Sequence, residues 1–487
     1  MYGNNAWNDR ESPSTALTPA TAANLQPAWD YRYPISGGGN ETYPIEVGGV
    51  LYATDHKADV YALDATTGRL LWSYRPTVHL LDGIPLINRG VAVASGRVYV
   101  LTADDQLVAL NAATGKVAFT ITVAAESVGY FESMAPIVAN GRVLVGSSGG
   151  DEGVRGFLAA YDAQSGSRLW KFYTVPERGT GWMPATGDHG GGAVWTTPAF
   201  DPLSGHVYFG TGNPSPDYFG ATRPGPNPYT DSVVRLAVNT GALSWYGQEV
   251  THDLWDYDVA SPPLLFPLGN QLAVGEAGKN GYWYEWNAET GKPLTAPLAF
   301  VKEDHQPPTA SGTKVWPGSD GGANYGPSAY DVHTHEAFIA GINGPETLYG
   351  KASTHAGYRL DLGTGQNPAP TGAWSGTITA VDVRSGTIVW QRHLPTPAIG
   401  GVTATAGGVV LYGAEDGTLV ALSASTGQTV WTAKTGAPIG SAPIVYTVHG
   451  ATYVAVATGG ASSLASLYPW SGANHVVVYR LSNQQEP

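Results

Sequence analysis

Seven times the chain repeats nearly the same short phrase. It runs from a small or apolar residue through Asp or Asn (Ser in the last copy), over a few positions to Gly, and ends on Trp or another apolar side chain. The copies are Leu63-Asp64 to Gly68 and Trp72; Leu110-Asn111 to Gly115 and Phe119; Tyr161-Asp162 to Gly166 and Trp170; Val238-Asn239 to Gly241 and Trp245; Trp286-Asn287 to Gly291 and Leu294; Val381-Asp382 to Gly386 and Trp390; and Leu422-Ser423 to Gly427 and Trp431. A unit of this size cannot bury its own apolar face, so neighbouring copies must stack, and the phrase is the mark of a radial β repeat. In the first copy, strands are expected at 50–53, 59–63 and 69–74. The Asp closes an Asx-type turn, Gly supplies positive φ, and the Trp packs onto the neighbouring unit.

The copies divide the chain into units at 41–76, 80–122, 132–174, 191–248, 258–297, 323–394 and 397–434. Three further strands, 442–446, 451–457 and 475–481, lack their outer partner, and a matching strand, 28–32, stands alone near the start. Pairing the two chain ends completes an eighth unit and leaves no open edge. The expectation is an all-β, eight-bladed β-propeller with tryptophan-docking-type repeats, closed by its N- and C-terminal strands, as a single domain over 1–487. Gly, 64 of 487 residues, suits the many turns, and a charged fraction of 13% suits sheets buried on both faces.

Composition also excludes. The net charge of −14 comes without any Arg-rich run, so nucleic acid is not the expected partner. The absence of cysteine removes disulfides, thiolate metal sites and Cys-x-x-Cys-His haem attachment. No apolar run is long enough to cross a bilayer, and the polar start, residues 1–9, does not read as a signal peptide. Long stretches at 177–192, 214–229 and 344–375 interrupt the repeat and read as lids or binding walls, or as surface insertions.

Inner strands of a propeller end at a central funnel, so polar residues beside them converge. Asp151 or Glu152, Asn213 and Asp258 offer the oxygens a hard cation takes, and Asp256, two residues from Asp258 in an extended run, adds a carboxylate that a nearby cation keeps ionised as a base. Each of these side chains alone also fits a turn-capping role, and His252 reads as a loop histidine.

With Gly-Ser-Ser-Gly at 146–149, Gly-Val-Arg-Gly at 153–156, Gly-Thr-Gly-Asn-Pro at 210–214 and Trp-Asp-Tyr-Asp at 255–258 in this order, the chain resembles the pyrroloquinoline quinone (PQQ)-dependent alcohol dehydrogenases, over nearly its whole length. The resemblance implies Trp195 as the floor under the quinone and Lys279 as the basic residue at the quinone oxygens. It implies Glu41, Arg89, Ser133, Ser148 and Asn324 as cofactor contacts, Asn213 as a metal ligand, and Asp256 as the catalytic base. Asp151, or Glu152 beside it, stands where the family has a metal-binding Glu. Gly83-Ile84 stands where many members have adjacent cysteines, and Ile399 lies near the position of a further family Trp. Asp258 resembles an acid of lanthanide-using methanol dehydrogenases, but its surroundings also resemble quinoprotein glucose dehydrogenases, so calcium and a lanthanide both remain open.

The implied activity is metal-assisted hydride transfer from an alcohol to PQQ, with electrons leaving to a separate cytochrome c or quinone, in the periplasm or outside the cell. The alternatives are a sugar or polyol dehydrogenase of the same cofactor class and a non-catalytic propeller that binds proteins.

Overall fold

Strands 98–101 (Val-Tyr-Val-Leu) and 409–412 (Val-Val-Leu-Tyr) are unbroken apolar runs, as strands covered on both faces must be, and all eight residues are buried. The outer strands are more open instead: in Leu70–Tyr74 exposed Leu70, Leu71 and Ser73 mix with half-buried Trp72 and Tyr74. The computed structural model describes residues 2–35, 38–79, 84–125, 128–176, 190–352, 363–465, 467–468 and 474–482. Within them the chain is almost all β. The first unit pairs Ile45–Val47, Val50–Thr54, Val60–Asp64 and Leu70–Tyr74 in order, within a residue or so of the expected bounds. Six more antiparallel sheets of this kind follow along the chain, and the seventh also gains Glu11–Ser12, parallel to Val402–Thr405. In the last sheet Leu25–Arg32 pairs with His475–Leu481, Tyr31 opposite Val476, so the chain ends meet as expected.

Apolar clusters lie between consecutive sheets. Val60 and Ala62 pack with Val98 and Val108, Leu101 with Val143, Leu144 with Val207, and so on around to Val409 with Val454. A further cluster joins Leu51 and Leu63 of the first sheet to Tyr453 and Val478 of the last. The repeated Gly and Trp explain how neighbours lock. Asp64 Oδ1 accepts the N–H groups of Thr66 and Thr67 at 3.0 Å, and Gly68 follows at φ +72°. Trp29 of the preceding sheet lies against that glycine, where a Cβ would be 2.6 Å from the ring, and its indole N–H donates to Ala65 O at 3.3 Å. The same arrangement places Trp72 on Gly115, Trp170 on Gly241, Trp245 on Gly291 and Trp390 on Gly427, with indole bonds of 2.7–3.0 Å.

Two features lay outside the sequence reading. Residues 6–12 run across the first strands of consecutive sheets: Phe200, Leu265 and Tyr330 donate their N–H groups to Ala6, Trp7 and Asp9 carbonyls at 2.7–2.8 Å, and Ala404 donates to Arg10 at 3.0 Å. Buried Arg10 donates to Tyr2 O, Thr403 Oγ1 and Pro443 O at 2.6–3.1 Å. Secondly, Thr313–Val315, Glu346–Gly350 and Thr364–Pro368 form a small sheet of their own, largely from the 344–375 insertion. Residues 177–189 and 353–362 of the long stretches lie outside the described residues, as does Gly83.

Candidate active site

The antiparallel repeat brings two kinds of position to the same end of every sheet: the approach to the first strand and the exit from the second. Glu41, Arg89, Ser133, Trp195, Asp256 with Asp258, and Asn324 stand on approaches, and Ser148 with Asp151, Asn213 and Lys279 on exits. All of these side chains line one cleft of about 300 Å³, together with Pro85, Ile87, Phe131, Tyr325, Gln366 and Ser462.

One side of the cleft is an ion-paired, aromatic wall. Arg89 donates to Glu41 Oε2 at 2.6 Å, to Ser133 Oγ at 2.9 Å and to Trp195 O at 3.3 Å. Ser133 and Ser148 share a hydroxyl bond of 2.8 Å. The second Glu41 oxygen accepts the Ser462 N–H at 3.0 Å and its hydroxyl. The Arg89 guanidinium lies 4.8 Å from the Trp195 ring centroid and 4.7 Å from that of Tyr325, and the Lys279 ammonium is 6.0 Å from Trp195. Asn324 accepts the Tyr325 N–H at 2.8 Å and donates to Asp320 O at 2.9 Å.

The other side gathers carboxylates. Asp253 caps a tight turn by accepting the N–H groups of Trp255, Asp256 and Tyr257, which holds Asp256 at φ +65°. Lys279 Nζ donates to Asp258 Oδ2 at 2.6 Å, and to Asp256 O and Oδ1 at 3.0 and 3.3 Å. Asp258 Oδ1 accepts the Asn213 N–H at 2.9 Å, so both its oxygens are engaged. One oxygen from each of Asp151, Asp217 and Asp256 lies within 4.8 Å of the others. Burial is the main reason the proton affinity of these groups rises: Asp151 is pushed up to about 6 by burial and then by the Asp258 charge, while burial raises Asp217 and Asp256 well above the usual carboxylate range. Burial alone would lower the Lys279 ammonium, but Asp256 and Asp258 outweigh it and hold it above the usual lysine range. A hard cation among these oxygens would remove the repulsion that raises the acids.

Sequence reasoning missed Asp217, Gln366 and Ser462, and gave Tyr325, beside Asn324, no role of its own. Asp217 is wholly buried and sits four residues past Asn213, in the 214–229 stretch, where the only signal was an acidic residue inside an insertion. Asp151 lines the cleft and Glu152 does not. Pro85, Ile87 and Phe131 give the apolar cover, Ile84 stands outside that lining, and Ile399 is buried in the central cluster with Tyr43 and Tyr325. His252 is a loop residue whose ring nitrogen Nδ1 bonds Gly225 O at 2.9 Å.

Residues 1–299 match the family model of the glucose/ethanol/alcohol dehydrogenase β-propeller domain, and residues 375–470 match that of the outer membrane protein assembly factor BamB. The chain is 31% identical to the quinoprotein alcohol dehydrogenase PedH of Pseudomonas putida over 92% of its own length and 84% of that protein. The crystal structure of the quinohemoprotein alcohol dehydrogenase from Comamonas testosteroni superposes with a TM-score of 0.90 at 28% identity, covering 100% of this chain and 81% of that one. A europium-containing methanol dehydrogenase superposes with a TM-score of 0.85 at 25% identity, covering 99% and 97%. On its sequence and its fold, this chain belongs to the PQQ-dependent alcohol dehydrogenase family.

Proposed function

We propose that this chain oxidises an alcohol to the aldehyde or ketone with PQQ as oxidant and one bound cation, and that Asp256 is its general base. The observation that carries the reading is that Glu41, Arg89, Ser133, Ser148, Asp151, Trp195, Asn213, Asp256, Asp258, Lys279 and Asn324, from separate segments of the chain, line one cleft. The donor set fits both groups. A flat aromatic floor flanked by two cations suits an anionic quinone, and buried carboxylates, one with an unpaired oxygen, suit a hard calcium or lanthanide ion. When bound, the quinone supplies a two-electron acceptor and the cation a Lewis acid.

The chain's own residues do the rest. Trp195 supports the ring system, and Glu41, Arg89, Ser133, Ser148 and Asn324 hold its polar edge. Asp151, Asn213, Asp256 and Asp258 offer oxygen ligands. Lys279 keeps a fixed positive charge where negative charge builds in the reaction. Asp256, on a backbone locked by Asp253, takes the alcohol's hydroxyl proton. Pro85, Ile87 and Phe131 keep water from that exchange.

The architecture that presents these groups is, in this reading, a single domain over 1–487 forming an eight-bladed propeller with docked tryptophans. Its support is the run of apolar clusters that returns from the last sheet to the first, and the repeated Trp-on-Gly contact. Electrons pass onward to a separate cytochrome c or quinone, in the periplasm or outside the cell, as in the family; no described helix is long and apolar enough to cross a membrane. Among the described residues, the region that matches the assembly factor, 375–470, contributes only Ser462 and Ser463 to the cleft, so a purely protein-binding role leaves the site without a purpose.

The test is to titrate metal-free protein with PQQ plus calcium or lanthanum, and to follow quinone absorbance and dye-linked oxidation of alcohols and sugars. Turnover of alcohols with either ion supports the reading. Turnover of sugars alone moves the substrate to polyols, and no PQQ binding with either ion overturns it.

A further inference from the structure

Asp217 has no part in the site as the sequence presents it, yet it is placed like a ligand. Its side chain is 0% exposed. Oδ1 accepts the Asn213 amide N–H at 2.8 Å, which engages that amide's nitrogen and leaves its oxygen as the metal donor. Oδ2 is buried and has no hydrogen-bond partner among the described residues. A buried carboxylate oxygen left without a partner is costly unless a cation completes it. One Asp217 oxygen also lies within 4.8 Å of ligand oxygens of Asp151 and Asp256, a spacing that a single hard ion spans.

The local chain keeps it there. Arg223 donates to Pro216 O at 2.8 and 3.0 Å, to Asp217 O at 3.1 Å and to Asp253 O. It thereby clamps the turn bearing Asp217 to the turn bearing Asp256, and its guanidinium is directed at carbonyls and at Asn227 rather than at the Asp217 carboxylate. Lys279 pairs with Asp256 and Asp258 and feels Asp151, while Asp217 adds a fourth carboxyl group beside Asp151 and Asp256. A bound cation that ionises all four would meet more negative charge than Lys279 offsets. Charge count is a main lever on the affinity and selectivity of an oxygen site.

We propose that Asp217 is a further ligand of the cation, through Oδ2, and that its charge tilts the site toward a trivalent over a divalent ion. The inference rests on the reading of this cleft as the cofactor and metal site.

The experiment loads wild-type and Asp217→Asn protein with PQQ and europium, counts coordinated waters from luminescence lifetimes in H2O and D2O, and measures lanthanum and calcium affinities by competition. Asp151→Asn is the control for the site itself. The expected result is one additional coordinated water in Asp217→Asn, with lanthanum affinity falling about tenfold or more beyond any loss for calcium. An unchanged water count together with equal losses for both ions would leave Asp217 as a support for Asn213 and overturn the proposal. If wild-type protein holds no europium, or Asp151→Asn holds it equally well, the metal-site reading fails and the proposal with it. A second measurement does not depend on the variant folding: anomalous scattering from europium-loaded wild-type crystals should place an Asp217 oxygen about 2.3–2.6 Å from the ion. A separation beyond bonding distance overturns the assignment.

Discussion

Arg89 donates to Glu41 Oε2 at 2.6 Å, and both side chains are almost wholly buried, 4% and 2% exposed. The Arg89 guanidinium of this pair lies against the Trp195 and Tyr325 rings, 4.8 and 4.7 Å from their centroids.

Breaking that pair from one side leaves a buried, uncompensated guanidinium. Glu41→Gln should therefore destabilise the cofactor-free protein by about 3–5 kcal/mol. Thermal or urea unfolding reads this, and a midpoint equal to wild type would show that Ser133 and the ring faces suffice for Arg89.

Asp256→Asn keeps the shape of the cleft and the cap from Asp253 but removes the proton acceptor. Bound PQQ, seen by its absorbance, should persist while kcat falls by about 10²–10⁴. Full turnover in this variant would assign the base elsewhere.

Gly241 and Gly205 share a left-handed backbone, φ +71° and +70°, but only Gly241 lies under a ring. A Cβ at Gly241 would sit 2.7 Å from Trp170, whereas one at Gly205 meets nothing within 4 Å. Both alanine variants bear the backbone cost of about 1–2 kcal/mol, and Gly241→Ala should lose at least about 1 kcal/mol more. Equal midpoints for the two would mean the Trp170 contact between sheets carries no weight.

Glu415 tests burial in the core through pH. Burial pushes its carboxyl from 4.5 up to about 8, partly offset by the Ala461 N–H. Below the unfolded value both states hold the proton. Between 4.5 and about 8 the unfolded chain ionises while the folded one does not, so this group's contribution to stability falls as pH rises and levels off above about 8. Glu415→Gln removes that dependence. The melting temperature of the variant relative to wild type should climb from about pH 5 to about pH 9. A constant difference would place the titration of Glu415 near its unfolded value.

The repeat was legible because its chemistry is local. Asp64, Gly68 and Trp72 stand within nine positions, and each does one job: the carboxylate closes the turn, the glycine takes positive φ, and the indole reaches the next sheet at Ala112 O. The site was legible through resemblance for residues inside short motifs, such as Asn213 and Asp256. Ser462 was not, because nothing near it in the chain announces Glu41, and Tyr325, although next to Asn324, carries no local sign that its ring meets Arg89. The path of residues 6–12 across several sheets was hidden for the same reason, since its backbone bonds go to strands some 190 or more positions away, such as Phe200 and Leu265.

By itself the sequence determined the β repeat, its turns, the pairing of the chain ends and the motifs that mark the family, since periodicity and turn chemistry act over a few residues. Only the tertiary structure decided which side chains share a cavity: that Asp258 engages Lys279 and Asn213, and that Asp217 stands beside Asp151 and Asp256. The physical reason is that burial and charge depend on distance in space, and the sheets bring together carboxylates that lie between 151 and 258 in the chain.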